Sequence, residues 1–175
     1  NLAADDGGGN TIYLSNTSSS LSMLGVSGDF FGTGSEKQMF MSPADEILRF
    51  PATYNDSYTT QSVQNMMILG SEVGAPVDSI VVKNATTKVV SINGYGTVTT
   101  PLGSFAAILV NEISYGADST WTYTLGFGNL VNSVMDTTYT STFWTDDAAA
   151  GFPLMDITHD NAGNVYNKLL SKTHH

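Results

Sequence analysis

The chain contains no cysteine, and this absence excludes several chemistries at once. A sequence without thiols has no disulfide scaffold, no thiolate zinc site, no iron–sulfur cluster and no cysteine nucleophile. Its 175 residues, of which 41% are hydrophobic, are nevertheless enough to bury a core without such cross-links. We therefore expect a fold that is stabilised by side-chain packing and backbone hydrogen bonds alone.

Charge is scarce as well, and what there is of it is mostly negative. Charged residues make up 13% of the chain, and 6 Lys and Arg against 16 Asp and Glu give a net charge of −10. This balance repels phosphate groups and anionic lipid headgroups, so we expect no nucleic-acid partner and no membrane insertion. No apolar run approaches the roughly 20 residues that span a bilayer.

Histidine offers little for catalysis. Two of the 3 histidines end the chain, and we interpret residues 172–175 as the remnant of an affinity tag. A Ser–His–Asp triad would then have to use His159, yet no G-x-S-x-G motif is present. Catalytic zinc sites usually need several histidines. We predict that the protein is not an enzyme and holds no resident cofactor.

Period-two patterns and turn signals predict the fold class. Residues 119–127 alternate aromatic or aliphatic side chains with threonine, which is typical of a sheet packed on one face. Residues 94–110 form a strand, a tight turn around Pro101 and Gly103, and a returning strand. Ser42 followed by Pro43 has the form of a helix start. We predict an all-β antiparallel sheet, either a strongly curved half-barrel or a two-sheet sandwich, with one short helix.

The same patterns divide the chain into segments. Residues 1–10 are interpreted as a flexible lead-in, residues 11–171 as a single β domain, and residues 172–175 as the tag. We predict strands near residues 11–14, 21–26, 60–69, 77–83, 87–92, 95–100, 104–115, 119–127, 137–145, 152–159 and 164–170.

Aromatic residues on two successive predicted strands are the candidate ligand-binding residues: Trp121, Tyr123, Tyr139 and Trp144. Such rings stack on sugar faces when they are exposed and belong to the core when they point inward. Trp144 points away from Phe143 and is the ring that we expect to depart from the core pattern.

Carboxylates offer two further hypotheses. Asp146 and Asp147 follow the aromatic strand, and with neighbouring carbonyl groups they form a candidate calcium site. A glycosidase would need two carboxylates that flank one bond, with Glu112, Asp136 and Asp156 as further candidates. Adjacent residues of an extended chain point in opposite directions, so Asp146 and Asp147 do not easily form such a pair.

Three stretches resemble a known family: residues 47–57 (ILRFPATYNDS), the hairpin 94–110, and the segment 143–155. They are similar to an uncharacterised β-rich domain of secreted Bacteroidota proteins that often carry a type IX secretion sorting domain. The chain departs from the family at residues 110–112, where Arg and Lys are usual. The order of Pro, Gly, Phe and Trp also resembles, more weakly, curved half-barrel lipoprotein carriers of the periplasm.

The resemblance implies export and a place in the secreted fraction or at the cell surface. The chain begins at Asn1 without Met, which is compatible with removal of a signal peptide. We predict an exported, non-catalytic binding or adhesion module at the bacterial cell surface. The alternatives are a carrier of a lipid or other apolar small molecule in a curved-sheet pocket, and a glycan-active enzyme that uses paired carboxylates. The sequence leaves the ligand and the oligomeric state open.

Overall fold

The structure, a computed structural model, describes residues 2–5, 8–32, 34–147 and 153–170. These residues form ten strands and one turn of 3-10 helix, and the strands build one antiparallel sheet. The strands are β1 (Leu2–Asp5), β2 (Thr11–Asn16), β3 (Ser20–Gly28), β4 (Lys37–Arg49), β5 (Ser57–Leu69), β6 (Ser79–Thr100), β7 (Gly103–Thr124), β8 (Phe127–Trp144), β9 (Met155–His159) and β10 (Val165–Leu170), and the 3-10 turn is Gly70–Glu72.

Consecutive strands are neighbours throughout, in the order β1 to β10. Leu2 lies opposite Leu14, Ser20 opposite Arg49, and Tyr139 opposite His159. Each connection is therefore between adjacent antiparallel strands, a relation that a hairpin turn can make. The all-β prediction is confirmed.

The predicted helix after Ser42 is wrong, because residues 42–49 belong to β4. The capping signal is local, whereas β4 gains hydrogen bonds to β3 along most of its length. The register shifts between Met23, which faces Asp45, and Gly25, which faces Phe40. Pro43 lies in this irregular stretch, where a residue without an N–H group costs no ladder hydrogen bond.

Strand boundaries differ from the prediction in the long hairpins. Residues 77–83, 87–92 and 95–100 were expected to be separate strands, but 79–100 form the single strand β6. The predicted strand 119–127 is instead broken by a turn at Leu125 and Gly126, whose φ angles are 50° and 80°. Two positive φ angles in succession define the type I′ turn that matches the twist of hairpin strands. Apolar side chains recur at every second position from Trp121 to Phe127, so this pattern did not indicate a turn.

Other turns were predicted correctly. Residues 101–102 form the turn between β6 and β7, and Gly103 has a φ of 139°. Asp160 closes the turn between β9 and β10, since its carboxylate accepts hydrogen bonds from the backbone N–H groups of Ala162 and Asn164 at 2.9 and 2.8 Å.

At the other end of the chain, residues 2–5 of the expected lead-in form β1.

The chain divides into two compact units, which the long strands β6, β7 and β8 both enter. Unit 1 comprises residues 1–51, 61–87 and 116–136, and unit 2 comprises residues 52–60, 88–115 and 137–175. The core of unit 1 includes Leu21, Leu48 and Ile68, each exposed by 4% or less. In unit 2, Phe105, Ala107 and Leu154 form a buried cluster against which Val98 and Phe143 pack.

No helix among the described residues has the length and apolar composition that would let it cross a membrane.

Asp78 fixes the Leu125–Gly126 turn in unit 1. Its carboxylate accepts a hydrogen bond from the Leu125 N–H at 2.6 Å, and its own N–H donates to the Tyr123 carbonyl at 2.8 Å. The Asp78 carbonyl in turn accepts from the Gly70 N–H at 3.1 Å. One residue therefore ties the 3-10 turn to the β7–β8 hairpin.

We expect Leu125→Asn to stabilise the protein. A left-handed backbone costs a β-branched or aliphatic residue about 1 kcal/mol or more, and asparagine tolerates it better. Leu125 is 84% exposed, so little packing is lost. The melting temperature should rise by about 2–4 °C. Leu169→Asn, at an exposed strand position, is the matched control and should give no increase; a lower melting temperature for Leu125→Asn would contradict the strain argument.

A second prediction concerns Glu72, whose carboxylate accepts a hydrogen bond from Lys37 Nζ at 2.6 Å and another from the Leu69 N–H at 3.1 Å. The Lys37 bond first, and then the Leu69 bond, hold the pKa of Glu72 below its ordinary value of 4.5. The ionised form is thus favoured in the folded state, and this stabilisation is present above pH 4.5 and is lost as the pH falls through the folded-state pKa.

Wild type should therefore unfold at higher urea concentration than Glu72→Gln near neutral pH, and the two midpoints should converge in acid. Glu36→Gln removes the same charge from an exposed neighbour of Lys37 and serves as the control. A midpoint difference that persists unchanged in acid would show that Glu72 acts through something other than its charge.

Candidate ligand-binding surface

The four aromatic residues predicted to bind ligand do not come together in one unit. Trp121 and Tyr123 belong to unit 1, and Tyr139 and Trp144 to unit 2. Trp144, the ring expected outside the core, is only 8% exposed. A ring this buried offers no free face to a sugar, so the interpretation of Trp144 as a surface ring is wrong. Its neighbour Thr142 is buried too, since β9 pairs alongside and Thr142 Oγ1 donates to Asp156 Oδ2 at 2.9 Å.

The other three rings are half-buried and already have contacts. Trp121 Nε1 donates to Ser119 Oγ at 3.3 Å. The Tyr123 ring lies so close to Gly128 that a β-carbon there would come within 2.9 Å of it. Tyr139 stacks on the His159 imidazole, with ring centroids 5.9 Å apart and planes inclined by 26°. Each of these rings is therefore partly covered by a neighbour in the sheet.

His159 also contacts Ser141, which sequence reasoning had not paired with it. His159 Nδ1 lies 2.8 Å from the Asp160 carbonyl oxygen, which can only accept, so Nδ1 donates there. Ser141 Oγ is 3.3 Å from His159 Nε2 but donates to Asn111 Oδ1 at 2.8 Å. A serine nucleophile needs its proton directed at the imidazole. In this arrangement the proton is directed at the Asn111 side chain.

Asp146 and Asp147, the predicted calcium ligands, are not part of a carboxylate cluster among the described residues. Asp146 and Asp147 are exposed at the end of β8, and the Asp147 N–H donates to Thr145 Oγ1 at 3.2 Å. Within the described ranges, no group of three or more His, Asp or Glu residues is placed to hold a metal ion. Residues 148–152, next to the aspartates, lie outside those ranges. The calcium site and the paired-carboxylate mechanism both stay predictions.

The most exposed aromatic pair in unit 2 is one that the sequence analysis did not select. Tyr54 and Tyr95 are 48% and 76% exposed, and their rings meet edge to face with centroids 5.4 Å apart and planes inclined by 73°. Such pairs are attractive because the positive edge of one ring meets the negative face of the other. The two rings therefore form one right-angled aromatic surface that is open to solvent.

The loop that carries Tyr54 is held tightly against β6. The Asn55 N–H donates to the Ile92 carbonyl at 3.0 Å, and the Ile92 N–H donates to the Asp56 carbonyl at 2.9 Å. Within the loop, the Thr53 N–H donates to Asp56 Oδ2 at 3.0 Å. Ile92 is itself 1% exposed. The loop is therefore anchored to a core position of unit 2, and the orientation of Tyr54 is set before any ligand arrives.

The exposed side chains of β6 on either side of Tyr95 are polar and uncharged. Exposed residues alternate along β6 at Asn93, Tyr95, Thr97 and Thr99, while Ile92 and Val98 face the core. Thr99 Oγ1 lies 2.9 Å from Ser104 Oγ on the neighbouring strand. Amide and hydroxyl groups can both donate and accept hydrogen bonds. Two rings beside such groups form a surface suited to a hydroxylated, uncharged ligand.

No protein-family model, curated protein or solved structure matches this chain. The resemblance to secreted Bacteroidota proteins therefore rests on the three sequence stretches alone. One of them, residues 47–57, contains Tyr54 and its anchored loop.

A sequence signal for Tyr95 existed: a tyrosine between two glycines on a strand with alternating polar residues is poorly covered by its neighbours. No comparable signal existed for Tyr54. Its position follows from hydrogen bonds between a loop near residue 55 and a strand residue near 92, and such long-range pairing has no local pattern.

Proposed function

We propose that the protein is an exported, non-catalytic binding or adhesion module of the bacterial cell surface, and that it binds a glycan on the Tyr54–Tyr95 surface. The observation that supports this proposal most directly is the exposure of both rings, 48% and 76%, in a fixed edge-to-face arrangement. Aromatic side chains that are exposed, rigid and grouped are the usual anchors of binding surfaces.

Preorganisation makes this surface favourable for binding. The loop from Thr53 to Asp56 is closed by its own hydrogen bonds and by two more to Ile92. Little loop entropy is therefore lost when a ligand docks, which leaves more of the contact energy as affinity. A sugar ring has an apolar C–H face for stacking and hydroxyls for Asn93 and Thr97. Its lack of charge suits a face without charged side chains at these positions.

Export and surface location are part of this proposal on the strength of the sequence resemblance to secreted proteins.

We further propose a curved single sheet rather than a sandwich. Sandwiches usually contain Greek-key connections, which place strands that are distant in sequence side by side. In this chain every neighbour in the sheet is also a neighbour in sequence, and this order favours a continuous sheet.

The carrier alternative would need the methionines to line an apolar cavity. Met67 and Met135 are 64% and 84% exposed, so these two lie on the surface. The tyrosine surface, by contrast, is already assembled.

We expect Tyr95→Ala and Tyr54→Ala each to weaken glycan binding about tenfold, which corresponds to about 1.4 kcal/mol. A glycan array identifies a ligand, and titration calorimetry then measures the dissociation constant of each variant. Tyr54→Phe keeps the ring and should bind like wild type.

Tyr166→Ala is the control for the loss of an exposed tyrosine, because Tyr166 is 64% exposed on β10. Binding that survives both Tyr54→Ala and Tyr95→Ala would place the site elsewhere. An array on which no glycan binds would reject the proposed class of ligand.

A further inference from the structure

The first two thirds of β8 have a neighbouring strand on one side only. β8 comprises 18 residues and β9 only 5. β9 pairs with Tyr139 to Phe143, and the chain then turns away at Asp160 into β10. Among the described strands, β8 has no neighbour other than β7 and β9. Residues 127–138 therefore form a free sheet edge, where alternate N–H and C=O groups point away from β7.

This edge is apolar on both faces. Every residue from 127 to 137 is exposed. Phe127, Val131 and Met135 share one face and are 81%, 59% and 84% exposed, and Leu130 and Val134 on the other face are 47% and 50% exposed. Soluble monomers rarely leave an apolar strand this open.

The two outermost strands of the sheet, β1 and β10, have features that discourage pairing with another chain, and residues 127–135 of β8 do not. Exposed edges normally carry charges or proline, or are very short, because they otherwise pair with another chain. β1 has 4 residues and ends at an aspartate, and β10 has 6 residues and contains Lys168. Residues 127–135 (FGNLVNSVM) contain neither a charge nor a proline.

We propose that a second copy of the chain adds to this edge, antiparallel to it and related by a two-fold axis at Val131. In that register Phe127 of each copy lies opposite Met135 of the other, Asn129 opposite Ser133, and Val131 opposite itself. Methionine–aromatic contacts are favourable, and the paired amide and hydroxyl can hydrogen-bond. The segment is thus complementary to itself, as a two-fold interface requires.

Repulsion between negatively charged copies is also smallest where this segment pairs with itself. A chain with a net charge of −10 repels its copy wherever carboxylates approach each other. Residues 127–135 bring none together, and Asp136 falls outside the paired stretch. In this register the two Asp136 residues are ten strand positions apart, about 34 Å. That separation exceeds the Debye length of about 8 Å at physiological salt.

Cysteine scanning tests the register directly, because the chain has no cysteine of its own. Facing residues of paired antiparallel strands have Cα atoms about 4.5–5.5 Å apart, within the range of a disulfide. Val131→Cys should therefore form a cross-linked dimer under mild oxidation. In Ser133→Cys the two cysteines would lie about 14 Å apart, and no cross-link should form. Cross-linking of Ser133→Cys and not of Val131→Cys would overturn the proposal.

Sedimentation velocity tests the dimer itself. Wild type should sediment as a dimer at micromolar concentration, and Val131→Lys should raise the dimer dissociation constant at least about tenfold, because it places two lysines opposite each other. Val165→Lys, at a site 57% exposed on β10, should leave the dimer intact.

Circular dichroism and melting temperature show whether Val131→Lys remains folded, and Val131→Thr, an uncharged change, should retain the dimer. A monomeric wild type, or a folded Val131→Lys variant that stays dimeric, would overturn the proposal. These readouts need no ligand, so they are independent of the proposed glycan site.

Discussion

The ladder of backbone hydrogen bonds between consecutive strands is the interaction on which this structure depends. The chain has no disulfide and few charges, and among the described residues few side chains are deeply buried in either unit. The folded structure is therefore stabilised mainly by hydrogen bonds between each strand and the next. The same dependence leaves exposed groups wherever neighbouring strands differ in length, as β8 and β9 do with 18 and 5 residues.

Polar groups stabilise the turns that let the ladder continue. Asp78 holds the strained Leu125–Gly126 turn, Asp160 closes the last hairpin, and Asp56 closes the loop that presents Tyr54. Each aspartate accepts hydrogen bonds from backbone N–H groups that would otherwise be without a partner. Part of the negative charge of the chain therefore has a structural use, and net charge alone is a poor guide to what the protein binds.

The sequence predicts the strand class well, since side-chain alternation and turn residues are local signals. It predicts strand ends less well: Leu125 continues the apolar alternation but adopts a positive φ, because Asp78, distant in sequence, supplies the hydrogen bond that fixes the turn. Ser42 and Pro43 resemble a helix start in the local sequence. Pro43 is instead accommodated in β4 by an irregular register with β3, and that pairing leaves no signal in the sequence around residue 43. In the sequence Trp144 shares its strand face with threonines, which suggests exposure, and no nearby residue indicates that the ring is buried. The tyrosine surface could not be predicted, since it needs Asn55 to meet Ile92.

The two proposed surfaces have different physical origins, and this difference bears on how they would act together. The tyrosine surface is small and preorganised, and a single pair of rings gives modest affinity for one sugar. The β8 edge is extended and would bury backbone hydrogen bonds, so it can hold two copies in a fixed relation. Two weak sites in one dimer would bind a repeating polymer more tightly than either site alone, provided that their spacing matches the repeat. The proposed adhesion module would gain from that arrangement, because each contact would remain individually reversible while the dimer stayed attached.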